Sequence, residues 1–210
     1  MAFMAKWRAQ SHYNAGSRIL VNLNPSSSPK KDHIRAVNHL QKAVELDPNS
    51  AYSFHNLAHS WYKLAEHEYL VTSTNRQFKD IKDYENSIND ALERGDDDII
   101  EKMRERYLKE HERDGLITGY FVFALQAVDR SLEIRYDFPQ AHNTRAMILA
   151  KLFRLDEAIE ATEVALSQTP DYKNASENRG KIKEMIRERA TIPGYKNEDD
   201  ILRKIKKLKR

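Results

Sequence analysis

The sequence contains no cysteine. That excludes a disulfide framework, thiol catalysis and thiolate metal sites, and it fits a reducing compartment. Glycine and proline are scarce, six of each in 210 residues, which is too few breakers for a many-turned β protein. The glycines are scattered and only Gly115 and Gly119 lie close together. No glycine-rich loop cradles a phosphate, no Gly-x-Ser-x-Gly elbow presents a serine, and no kinase signature is present. An enzyme is therefore not expected. No apolar run reaches the 18 or more residues a membrane span needs; the uncharged stretch 115–128, apart from its first residues' neighbours, reads as a buried helix. The N-terminus has no secretory apolar core or cleavage site. It also has no acidic residue before Asp32, while carrying Lys6, Arg8, Arg18, Lys30 and Lys31. An organelle-targeting segment has that composition, but a repeat helix explains the same residues, and a cytoplasmic protein is expected.

What is present favours helix. Hydrophobic residues make up 40% and charged residues 32%, too apolar for disorder, and Leu, Ile, Ala, Glu, Lys and Arg are good helix formers. The chain also echoes itself. Ala124, Val128, Ser131 and Tyr136 return 34 residues later as Ala158, Thr162, Ala165 and Pro170. Ala36, Leu40, Ala43 and Pro48 have the same internal spacing. Small, larger, small, then a breaker is one helix seen three times, the mark of a solenoid that binds rather than catalyses.

Each such helix has a partner before it. The first pair is predicted over 9–20 and 32–46, with Ala15 and Gly16 small where the two helices must approach closely, and Ala36 and Ala43 doing the same on the partner with Leu40 as the knob between them. Pro48 stops the second helix because it lacks an N–H and clashes with the preceding turn. In the next unit Phe54, Leu57, Ala58 and Trp61 share one helical face. The third unit places Arg145, Ala146 and Leu149 in the corresponding helix. Its second helix runs from Leu155 to Ser167, and a last helix, Lys173 to Arg189, has Gly180 at the expected small position.

These residues resemble the tetratricopeptide-repeat (TPR) family, whose pattern is an aromatic, Leu-Gly and Tyr on helix A, then Ala, Phe, Ala and Pro on helix B. Phe54, Leu57, Ala58 and Trp61 match helix A; Ala36, Leu40, Ala43 and Pro48 match helix B. Arg145, Thr162 and Tyr136 depart from the usual Leu, large residue and Pro. The resemblance implies an all-α, TPR-like α-solenoid of three helix pairs with a C-terminal capping helix and an inserted helical hairpin. Repeat one is expected at 9–50, repeat two at 51–65 plus 120–138, repeat three at 139–172 and the capping helix at 173–190. A basic helix or tail follows over 191–210.

Spacing locates two insertions. Gly16 to Ala58 exceeds the repeat by 8 residues, which are the Pro- and Ser-rich stretch Asn24 to Lys31. Ala58 to Ala146 exceeds it by 54, which falls at 66–119. There Phe78, Ile81, Ile88, Ala91 and Leu92 keep helical spacing up to Gly95. Asp96, Asp97 and Asp98 make a turn and cap, and Ile99, Ile100, Met103, Tyr107 and Leu108 continue on a second helix. A hairpin projecting from the turn of repeat two is expected. This segment carries 15 acidic and 9 basic side chains, a balance of −6 in a chain of net charge +3.

The resemblance also implies a concave groove lined by Tyr13, Ser17 and Leu20, then His55, His59 and Tyr62, then Asn143 and Met147, with Ala150 beside them. Such a lining suits an extended peptide or a helix. One subclass of the family grips a C-terminal Asp carboxylate with Lys, Asn and Arg; here the matching cations are missing, so chaperone tails are disfavoured. Protonated His55 and His59 would accept an acidic ligand only below about pH 6.5. His55 and His59 have the i, i+4 spacing of a metal pair, but Asn56 stands where a zinc hydrolase has Glu, and neither metal nor cofactor is expected.

At the C-terminus Arg203, Lys204, Lys206, Lys207, Lys209 and Arg210 load one end of a predicted helix. They are candidate contacts for nucleic acid, an anionic membrane surface or an acidic partner, or for the acidic insertion itself. The leading expectation is a non-catalytic adaptor or assembly chaperone holding a protein segment in the groove. Attachment through the basic tail and a scaffold role in a larger complex are the alternatives. With three repeats near the minimum for a stable stack, self-association is a further expectation.

Overall fold

The computed structural model describes residues 2–74 and 97–191, with side chains over 4–70 and 115–187. Among them are seven helices: α1 (Ala2–Asn22), α2 (Lys30–Leu46), α3 (Ala51–Thr74), α4 (Asp97–Ile134), α5 (Pro139–Lys151), α6 (Leu155–Gln168) and α7 (Lys173–Thr191). Neighbours in sequence are neighbours in space: α1 packs on α2, α3 on α4 and α5 on α6, while α2–α3, α4–α5 and α6–α7 join one pair to the next. The result is the expected solenoid of three helix pairs closed by a capping helix.

Local chemistry sets the helix ends. α2 follows Pro29, whose extended backbone (φ −61°, ψ 141°) accepts the Asp32 N–H at 2.9 Å, and Asp32 lies in the positive first turn. The helix closes with the Asp47 N–H on the Ala43 carbonyl, just before Pro48. At the start of α3 the Ser53 N–H bonds to Ser50 Oγ at 3.2 Å. Pro139 opens α5, where its missing N–H costs nothing. α5 ends with Phe153 in the left-handed region (φ 57°), and the Arg154 N–H reaches back to the Leu149 carbonyl at 2.9 Å.

The small positions of the repeat explain how the helices approach. Ala36, Ala43, Ala58, Ala124, Ala146, Ala158 and Ala165 are all fully buried. Leu40, Leu64, Val128, Ile148 and Leu149 fill the space between them; burying each large side chain stabilises by about 1.5–3 kcal/mol. Gly16 sits where Leu40 enters, as expected. Gly180 does not fit the expectation. It is exposed, and a β-carbon there would meet nothing within 4 Å, because α7 is the last helix and that face has no neighbour among the described residues.

The three departures from the repeat pattern are accommodated individually. Arg145 reaches out of the core to Asp129 on α4, Nε to Oδ1 at 2.7 Å. Thr162 is fully buried and donates its hydroxyl to the Ile159 carbonyl at 2.7 Å. Tyr136 is exposed and its ring meets His142 edge-on at 5.0 Å.

Both insertions take definite form where they are described. The short one is an Asn24-centred turn, with Asn24 Oδ1 accepting from the Ser26 N–H at 2.9 Å. It is tied to α3 by His67 Nδ1, which donates to the Pro25 carbonyl at 2.8 Å. The long insertion, expected as a hairpin on a turn, is described only at its two ends. Its described parts are continuations of the repeat helices themselves, since α3 runs past residue 66 to Thr74 and α4 starts at Asp97. Lys30 reaches Glu68 on that continuation at 2.7 Å. The helical pattern expected from Phe78 to Leu92 lies outside the described residues. Among the described residues no helix is long and apolar enough to cross a membrane.

Candidate functional site

A cleft of about 370 Å³ opens between α3, α5 and the start of α7. Helical periodicity places its lining. On α3, His55, His59 and Tyr62 recur at spacings of four and three, and on α5, Gln140, Asn143, Thr144 and Met147 do the same. The capping helix brings Asn174, Glu177 and Asn178 over one side, with Tyr172 just before it.

The lining is braced from behind. His55 Nε2 and Thr144 Oγ1 are 3.0 Å apart, joining α3 to α5. The His55 ring also packs against Phe138, centroids 4.9 Å apart. Tyr62 is buried; its hydroxyl donates to Glu66 Oε1 at 2.9 Å, and its ring meets Phe121 of α4 edge-on at 5.8 Å. Lys151 in turn holds Glu66 at 3.3 Å. Asn178 Nδ2 donates to Asn143 Oδ1 at 2.9 Å, clamping α7 onto α5. These bonds hold the cleft in one shape without consuming its open edge, where Gln140 and Asn174 remain exposed.

Burial controls its charge. Desolvation pushes both His55 and His59 down to about 4. For His59, Lys63 and His55 add to the effect; for His55, contacts with the Gln140 backbone and Asn56 oppose it. Both rings are therefore neutral at physiological pH, and the expectation that they ionise near pH 6.5 is corrected: the cleft removes the water that would stabilise the imidazolium. Burial, and next the Glu66 carboxylate, raises Tyr62.

Of the residues expected to line the groove, His55, His59, Tyr62, Asn143 and Met147 meet in this cleft. Leu20 is not among the residues that line the cleft and packs in the core. Ser17 is engaged between helices, accepting from Asn56 Nδ2 at 2.8 Å, and Tyr13 packs half-buried against the core. Ala150 is also buried. The first helix pair thus adds nothing to the lining, because Asn56 and Lys63 of α3 turn towards α1 and fill that side. Gln140, Thr144, Tyr172, Asn174, Glu177 and Asn178 were not anticipated. The spacing of Asn174, Glu177 and Asn178 puts them on one face of α7, a pattern present in the sequence but uninformative without knowing which face turns inward. Arg203, Lys204, Lys206, Lys207, Lys209 and Arg210 lie outside the described residues. Among the described residues no cluster of three or more metal-ligating side chains occurs.

This architecture is a tetratricopeptide-repeat fold. By sequence the chain matches no protein-family model and no curated protein. By structure it is similar to the TPR domain of Arabidopsis OM64, with a TM-score of 0.55 at 14% identity, over 86% of this chain and 98% of that one. It is similar to the first TPR of Spaghetti (RPAP3) bound to the HSP90 peptide SRMEEVD, with a TM-score of 0.54 at 13% identity, over 86% and 94%. The second TPR domain of human RPAP3 in complex with the HSP70 peptide SGPTIEEVD gives a TM-score of 0.51 at 13% identity, over 87% and 98%. At these identities the likeness is one of fold.

Proposed function

We propose that this chain is a non-catalytic adaptor or assembly chaperone that holds a segment of another protein in the cleft between α3, α5 and α7. The observation that carries this reading is the cleft itself. It is preformed, braced by hydrogen bonds from behind, and lined by amides, imidazoles and two tyrosines. Amide side chains both donate and accept, so they serve the alternating N–H and C=O groups of an extended main chain, while Met147 and the tyrosine rings offer apolar contact. Solved domains of the same fold hold peptides, as those of Spaghetti and human RPAP3 do. The continuations of α3 and α4 beyond the repeat, with exposed Tyr69 and Leu116, add surface from which a larger partner gains specificity.

The test is selection of a random heptapeptide library on the immobilised full chain, followed by fluorescence polarisation of the selected peptides. Gln140→Trp combined with Asn174→Trp fills the cleft from two exposed positions and leaves the core intact. The double variant is expected to lose about tenfold or more in affinity with an unchanged thermal midpoint. Equal affinity for the double variant would place binding elsewhere on the molecule.

A further inference from the structure

We infer that the cleft takes an uncharged or basic polypeptide segment and rejects acid-ended ones such as the SRMEEVD and SGPTIEEVD peptides of its structural neighbours. This deepens the proposed function and rests on it. The side chains lining the cleft include one carboxylate, Glu177, and no lysine or arginine, and Glu177 is about half exposed.

The cations around the cleft stand outside its lining and are paired with other groups, one of them with Glu177 itself. Lys63 turns to the end of α1, donating to the Leu20 and Leu23 carbonyls at 3.1 and 2.7 Å. Lys151 is paired with Glu66, Arg145 with Asp129 at 2.7 Å and Arg179 with Glu163 at 3.3 Å. Lys173 approaches Glu177 only at 3.8 Å and is 85% exposed, a contact loose enough for a ligand cation to replace. His55 and His59 are held neutral by burial.

A peptide carboxylate entering this space meets Glu177 and finds no lysine or arginine among the lining side chains, Lys173 being drawn to Glu177 from outside them. Specificity here works by exclusion: an unpaired buried charge penalises the wrong ligand more than any added contact rewards the right one. A Lys or Arg side chain meets the opposite situation. Glu177 supplies the counter-charge, and Tyr172, which also belongs to the lining, is a ring of the kind that attracts a cation. The amides of Asn143, Asn174 and Asn178 serve the main chain on either side.

The experiment uses the full chain at pH 7.4 and fluorescence polarisation. The probes are the tightest library heptapeptide, versions of it with each position changed in turn to Lys, Gln or Glu, and the peptide SRMEEVD. At one position or more, Lys is expected to bind about tenfold tighter than Glu, with Gln between, and SRMEEVD is expected to bind more weakly than any Lys-bearing version. Glu177→Gln should level the difference and Glu177→Lys should invert it; both changes are at a half-exposed site and spare the fold. Preferential binding of SRMEEVD, or a ranking unmoved by Glu177→Lys, overturns the charge selection while leaving the peptide-binding reading intact. Failure of every peptide to bind, whatever its charge, removes the peptide-binding reading and the selection with it.

Discussion

Gly16 and Leu40 lie so close that a β-carbon at residue 16 would stand 2.6 Å from Leu40 Cγ, with His39 Cβ at 3.2 Å. Leu40 is fully buried and cannot step aside. This contact locks α1 onto α2. Gly16→Ala gains about 1 kcal/mol of helix propensity but forces a core side chain off its rotamer, at about 1–3 kcal/mol. A net loss of about 1 kcal/mol is expected in urea unfolding. Gly180→Ala is the control. It meets nothing within 4 Å and should stabilise by about 0.5–1 kcal/mol. Equal effects at the two positions would contradict the packing of α1 on α2.

Lys63 satisfies the carbonyls at the end of α1 from a neighbouring helix, and burial lowers its affinity for a proton. An ammonium at the negative end of a helix is favourable. Lys63→Met keeps the aliphatic stem and removes the charge. A loss of about 1.5–3 kcal/mol is expected, as for hydrogen bonds to charged groups, with faster amide exchange in the last turn of α1. An unchanged exchange rate there would show that water caps the helix equally well.

Phe153 occupies the left-handed region at φ 57°, where a side chain costs about 1–2 kcal/mol. Phe153→Gly should raise stability by about 1 kcal/mol, less the entropy glycine loses on folding. A fall in stability would mean that the contacts of the Phe153 ring outweigh the backbone strain.

Stability should decline on mild acidification. His55 and His59 have folded values of about 4, below the usual 6.5. Burial also lowers His33, which stacks on His67 at 4.9 Å, and His39, whose Nδ1 stands 3.2 Å from that of His12. In each case the unfolded chain binds the proton more tightly. Their neutral forms favour folding above pH 6.5; for His55 and His59 that contribution, up to about 1.4 kcal/mol per pH unit for each, is lost as pH falls from about 6.5 through about 4, and His33 and His39 act in the same direction. Glu157, lowered chiefly by its hydrogen bond from Arg154, weakens the fold only below its ordinary value of 4.5. The denaturation midpoint should therefore fall between pH 7 and pH 5. His55→Gln with His59→Gln should flatten that slope; a midpoint flat over this range in the parent chain would contradict the buried, neutral histidines.

The fold was readable because it repeats. Ala36, Ala43, Ala124 and Ala158 are small for one reason, helix approach, and a reason stated several times at fixed spacing stands out from noise. Pro48 marked an end whose chemistry is local. The site was only partly readable. His55, His59 and Tyr62 share a face of one helix, so their grouping follows from periodicity. Leu20 was misplaced because periodicity names a face but not its neighbour, and α3 covers that face of α1. Asn174, Glu177 and Asn178 were invisible because the capping helix follows no repeat pattern, and only its packing on α5 turns them inward. Gly180 misled for the same reason, since a small residue implies close approach only where a second helix exists to approach.

Site-directed photo-crosslinking reads the position of a bound segment most directly. A benzophenone amino acid is placed at Asn174, on the open edge of the cleft, or at Phe123, which is 49% exposed beside Trp61 on a different surface of the molecule. Each chain is illuminated with the tightest library heptapeptide. A crosslink from residue 174 and none from residue 123 is the predicted result. A crosslink from residue 123 and none from residue 174 would place the partner on the aromatic surface of α3 and α4 and contradict binding in the cleft.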